Sequence, residues 1–93
     1  MKVTRVNEFR SSDGKAEELF DFLKSLKTYI ASSAGCESCE VLQNCDDENL
    51  FVVLETWDSV DAHKESLAKY PKEKMAAAMS LIGGPPKGSF YHA

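Results

Sequence analysis

The chain has 93 residues, 43 % of them hydrophobic and 28 % charged. Those proportions belong to a globular domain and exclude a disordered chain. Eleven Lys and Arg against fifteen Asp and Glu leave a net charge of −4. No basic cluster offsets that balance, so neither nucleic acid nor an anionic membrane surface is an expected partner.

The length predicts a single domain, residues 1–93, with a thin core. The N-terminal stretch MKVTRVNEFRSSDGK lacks the apolar segment of a signal peptide. The longest apolar run, Leu50 to Leu54, is far short of the ~20 residues that span a bilayer. Cys36, Cys39 and Cys45 are an odd number, which fits reduced thiols better than a disulfide framework. A soluble, cytoplasmic protein is therefore expected.

Lys2 to Phe9 alternates in the manner of a strand, with Val3, Arg5, Asn7 and Phe9 on one parity. Ser11 to Gly14 is a turn able to cap a helix, and Glu17 and Glu18 then sit where the helix dipole favours negative charge. From Lys15 to Ala34, Ala16, Leu19, Phe20, Leu23, Leu26 and Ile30 form one helical stripe. Gly35 is a natural stop. Cys36 to Cys45 alternates weakly, Asp46 to Asn49 is a polar turn, and Leu50 to Trp57 is the clearest strand, so the two make a hairpin.

Asp58-Ser59 caps a second helix reaching about Lys69, whose inner stripe is Val60, His63, Leu67 and Tyr70. Pro71 opens a further short helix, with Met75, Ala78, Met79 and Ile82 on one side. Gly83-Gly84-Pro85-Pro86 ends it, and Ser89 to His92 forms a last short strand. The order β-α-β-β-α-β predicts an α+β, ferredoxin-like fold with helices on one face of an antiparallel sheet.

Both faces of Leu50 to Trp57 are largely apolar: Phe51, Val53 and Trp57 on one, Leu50, Val52 and Leu54 on the other. One layer of helices covers one face only. Leaving three aliphatic side chains in water forgoes roughly 1.5–3 kcal/mol each, a large loss against a stability of about 5–15 kcal/mol. A homodimer packed sheet to sheet about a two-fold axis resolves this.

The segment Gly35-Cys36, Glu40-Val41-Leu42, the strand Leu50 to Trp57 ending Glu55-Thr56-Trp57, and Val60-Asp61-Ala62-His63-Lys64 resemble the antibiotic biosynthesis monooxygenase family. The resemblance implies a dimeric α/β barrel of two ferredoxin-like protomers. It implies oxidation of a small aromatic phenol or quinol by dioxygen, with no metal, flavin or other cofactor. Many relatives carry a second histidine three residues after the Ala-His histidine, where this chain has Ser66. Haem-degrading relatives ligate iron from a histidine on the later helix, and Pro71 to Ile82 has none. The alternative function is a small-molecule binding or sensing dimer without turnover.

Each candidate residue has a structural reading beside the functional one. Trp57 is an aromatic wall for a flat ligand or a core tryptophan. Asn7 steadies a ligand oxygen or bonds neighbouring backbone. His63 takes a phenolic proton or is a satisfied inward histidine. Tyr70 and Met79 are further candidates for ligand contact, with Met75 and Met79 either an adaptable lid or ordinary packing. Cys36-Glu37-Ser38-Cys39 begins a strand instead of a helix, and residues three apart on a strand face opposite ways, so a redox pair is not expected; nor is a zinc site, since no second cysteine pair completes four ligands. Cys39 and Cys45 read as small buried residues.

Overall fold

The structure, a computed structural model, describes residues 1–93. Its elements run β1 (Val3–Arg10), α1 (Ala16–Ala31), β2 (Cys36–Gln43), β3 (Leu50–Trp57), α2 (Val60–Lys69), α3 (Lys72–Ala78), a single 3-10 turn (Met79–Leu81) and β4 (Lys87–Tyr91). The four strands form one antiparallel sheet in the order β2-β3-β1-β4. This is the ferredoxin-like fold, and no helix is long and apolar enough to cross a membrane.

The alternation of β3 decides the layering. Phe51, Val53, Glu55 and Trp57 are buried, while Leu50, Val52, Leu54 and Thr56 are half-buried. The buried set packs with Val3 and Phe9 of β1, Cys39 of β2, and Leu19, Leu23 and Ile30 of α1. These α1 residues follow the three-and-four spacing of an amphipathic helix, so one stripe faces the sheet. On the opposite sheet face, Leu42 and Tyr91 are exposed beside the half-buried Val6, Val52 and Leu54.

Several local expectations need correction. No side chain caps α1: Ser11 Oγ bonds Asn49 Oδ1 and Ser12 Oγ donates to the Ser80 carbonyl, which ties the turn to the rest of the chain instead. α1 ends at Ala31, and Gly35 serves a different purpose. With φ +85°, it turns the chain into β2, and a Cβ there would stand 2.6 Å from Ala62 Cβ on α2. The short helix breaks into the 3-10 turn at Met79. β2 stops at Gln43, so Cys45 lies exposed in the turn, where the Asn44 side chain accepts from the Asp46 and Asp47 amides.

The largest correction is in β2. A β-bulge between Cys36 and Ser38 shifts the register, so that Cys36 pairs with Trp57 and Cys39 with Glu55. The extra residue cancels one step of the alternation. Both cysteines therefore share the helix-side face, contrary to the simple strand expectation. Burial pushes the Cys39 thiol up to about 12 and raises that of Cys36, with the Glu55 carboxylate adding to both. Such thiols are poor nucleophiles.

Candidate functional site: a cavity between sheet and helices

Strand register assembles the floor. Cys39, Glu55, Arg5 and Phe90 form one row across the sheet, and Val41, Val53, Asn7 and Gly88 form the next. Arg5 and Asn7 share the helix-side parity of β1, so both point under the helices. α1 adds Leu26, Tyr29 and Ile30, and α2 adds His63 and Ser66. Tyr70, Met75 and Ile82 close the far side. The half-open space is about 320 Å³, with the exposed Leu67, Met79 and Pro86 at its rim. A volume near the lower end for small-molecule sites suits a ligand of one to a few rings.

Trp57 is fully buried at the back. Its indole N–H donates to Glu55 Oε1 at 2.8 Å. Burial raises the Glu55 carboxyl above the usual range, opposed by that hydrogen bond and by the charge of Arg5. Thus Trp57 is a core residue at the inner limit of the cavity. Tyr70 stands edge-on to Tyr29, with ring centroids 4.9 Å apart, and the Tyr29 hydroxyl donates to the Ser66 carbonyl at 2.8 Å.

His63 is 9 % exposed, its ring edge-on to Trp57 at 5.5 Å and to Phe90 at 5.1 Å. Burial, followed by the charges of Arg5 and Lys64, lowers its pKa to about 4. The imidazole is therefore neutral at pH 7. This sets a stability window. As pH falls from 6.5 toward 4, the unfolded chain takes a proton that folded His63 refuses, so stability is lost with acidification. The shift amounts to roughly 3 kcal/mol. Glu55 has the opposite sign, since its raised pKa favours the folded state in acid. The His63 contribution is isolated by His63→Phe, which keeps the edge packing. Its urea midpoint should fall less than that of the wild type between neutral and acidic pH, and parallel curves would remove the assignment.

Three residues lining this space each carry a buried polar atom with no protein partner: Arg5 Nε, Asn7 Oδ1 and His63 Nδ1. Buried polar groups are nearly always paired, so three orphans at one cavity are a feature to explain. Of the residues expected from sequence, Asn7, Trp57, His63, Tyr70 and Met79 all line it, Met79 only at the rim. Leu67 is 54 % exposed and also sits at the rim, while Ser66 takes the inner position expected of it. Ser66 Oγ lies 2.7 Å from Ser33 Oγ, which fixes α2 against the end of α1. Arg5 and Glu55 were not singled out from sequence. Their signal is that they are charges on the parity that otherwise faces the core. No group of three or more His, Cys, Asp or Glu side chains is arranged to hold a metal ion.

The family model for antibiotic biosynthesis monooxygenases matches residues 2–77. The chain belongs to that family. Solved structures agree on the fold. PA3566 from Pseudomonas aeruginosa shares 20 % identity at TM-score 0.89, over 99 % of this chain and 93 % of that one. SnoaB from Streptomyces nogalater, described as a cofactor-independent oxygenase, shares 22 % at TM-score 0.86, over 99 % and 92 %. Rv0793 from Mycobacterium tuberculosis shares 18 % at TM-score 0.88, over 100 % and 95 %. At such identities the likeness speaks to the fold. No curated protein matches the sequence.

Proposed function

We propose that this protein is a cytoplasmic, cofactor-independent monooxygenase of a small aromatic phenol or quinol, working as a homodimer joined through the helix-free sheet faces. The observation that carries the reading is that Asn7 and His63, each with a buried polar atom lacking a protein partner, line one cavity with Tyr29, Tyr70 and, at its inner limit, Trp57. Flat aromatic ligands stack against such walls, and the polar atoms fix their orientation.

With no cofactor to supply electrons, the substrate supplies all four that dioxygen needs. One ring C–H bond and the phenolic O–H bond break, a new C=O bond forms at that carbon as the phenol becomes a quinone, and the second oxygen atom leaves as water. The first electron passes to oxygen far more readily from a phenolate than from a phenol. The protein's part is to orient the substrate, exclude water and favour its anion.

His63 is unsuited to be the sole base. Moving a proton from a phenol of pKa about 10 to an imidazole of about 4 is uphill by roughly 8 kcal/mol. It serves better as a neutral hydrogen-bonding partner beside Asn7. The second reading, a binding module without turnover, draws support from Ser66, whose hydroxyl is engaged with Ser33.

Oxygen uptake with a panel of quinols and anthrones, in chelator-treated buffer, tests the proposal. Turnover is expected, and Asn7→Ala should lower kcat/KM by about tenfold through loss of one substrate hydrogen bond. Tight binding with no oxygen consumption favours the binding module.

A further inference from the structure

Arg5 is an unusual residue for the middle of a strand that faces a helix layer. Its side chain makes no hydrogen bond and no ion pair with the protein, and its Nε is buried without a partner. Glu55 is its direct cross-strand neighbour on β3. Even so, the two form no salt bridge, and Glu55 Oε1 is engaged by the Trp57 indole. Arg5 as a whole is half-buried, and a guanidinium whose Nε is buried without a partner costs folding energy unless something else meets it.

The guanidinium is nevertheless held in place. On β4, Phe90 presents its ring 4.8 Å from Arg5 Cζ, a cation–π contact. Two residues earlier the strand has Gly88, and a Cβ there would overlap Arg5 Nη2 and lie 2.8 Å from Cζ. The absence of a side chain at Gly88 is what lets the guanidinium lie across the strand at the cavity edge. A flexible cation with no protein partner would otherwise extend into water.

We propose that Arg5 is the specificity-determining residue of this cavity. It reads an acidic oxygen on the aromatic ligand and binds that ligand as its oxyanion. The inference rests on the aromatic-ligand reading above and deepens it. A planar guanidinium donates to such an oxygen through several N–H groups at once. Asn7 and His63 then meet the remainder of the ligand's polar edge. Such binding also accounts for how the anion forms without a strong base: ligand ionisation is favoured by the charge that receives it. The other titratable and charged groups around the guanidinium are Glu55 from β3, His63 and, more distantly, Lys64 from α2, with the Tyr29 and Tyr70 hydroxyls across the cavity.

The probe is para-nitrophenol, whose phenol and phenolate absorb differently, with para-nitroanisole as the neutral control of similar shape. Bound to the wild type, para-nitrophenol should show an apparent pKa at least about one unit below its free value, equal to a tenfold preference for phenolate. Arg5→Met should abolish the preference while changing para-nitroanisole affinity less than about twofold. Gly88→Ala keeps the charge but displaces it, and should reduce the preference several-fold; it also decides the matter if Arg5→Met does not fold. Equal affinity of the wild type for phenol and phenolate overturns the assignment, as does an unchanged preference in either variant. If para-nitroanisole binds and no phenolate preference exists, only the role of Arg5 fails. If neither probe binds, the aromatic cavity reading fails as well.

Discussion

Trp57→Ala is expected to destabilise the protein by about 4–8 kcal/mol. Removing a buried tryptophan costs roughly 3–5 kcal/mol. The same change strips Glu55 of its only hydrogen-bond donor, and an orphaned buried acceptor costs about 1–3 kcal/mol more. Against a total of about 5–15 kcal/mol, much of the population should be unfolded at ambient temperature. Trp57→Phe helps separate the two contributions, since it loses the N–H but only part of the aromatic volume. Urea unfolding should place it between the wild type and Trp57→Ala. An alanine variant within about 2 kcal/mol of the wild type would mean that the indole is a removable wall and not part of the core.

The second large effect concerns the opposite face of the sheet. Leu54 is half-buried at the centre of β3, paired across the strands with Val6 and Glu40. In the proposed homodimer this region meets its own copy. An isologous contact counts every substitution twice. Leu54→Arg should therefore bury two unpaired charges at a cost of several kcal/mol, weakening the dimer by roughly a thousandfold. Ultracentrifugation is expected to give a dimer for the wild type and a folded monomer for the variant, with unchanged far-ultraviolet circular dichroism. A wild type that sediments as a monomer at micromolar concentration contradicts the interface.

The fold was largely legible because period-two and period-3.6 patterns are local. Phe51, Val53, Glu55 and Trp57 alternate cleanly, and their face is the buried one. The β-α-β-β-α-β order implies that β1 lies beside β3, where Asn7 pairs with Val53 and Val3 with Trp57. Features set by partners were not legible. The bulge that turns Cys36 and Cys39 to one face arises in pairing with β3. On α2, Leu67 looks like the core residue by hydrophobicity, but it is exposed while Ser66 faces inward, hydrogen-bonded to Ser33. The low pKa of His63 depends on Trp57, Phe90 and Arg5 closing around it. Arg5 itself broke the apolar pattern of β1, and its meaning required knowing that Gly88 and Phe90 lie beside it.

The central claim is that a phenolic ligand held under the helices is oxygenated by dioxygen. Turnover of an accepted phenol or quinol under isotopically labelled dioxygen, followed by mass spectrometry of the product, tests it most directly. One labelled oxygen atom per product molecule is predicted, with the other recovered in water and the yield falling in Asn7→Ala. Product that carries oxygen only from solvent, or no product from any ligand that binds the cavity, would contradict the account.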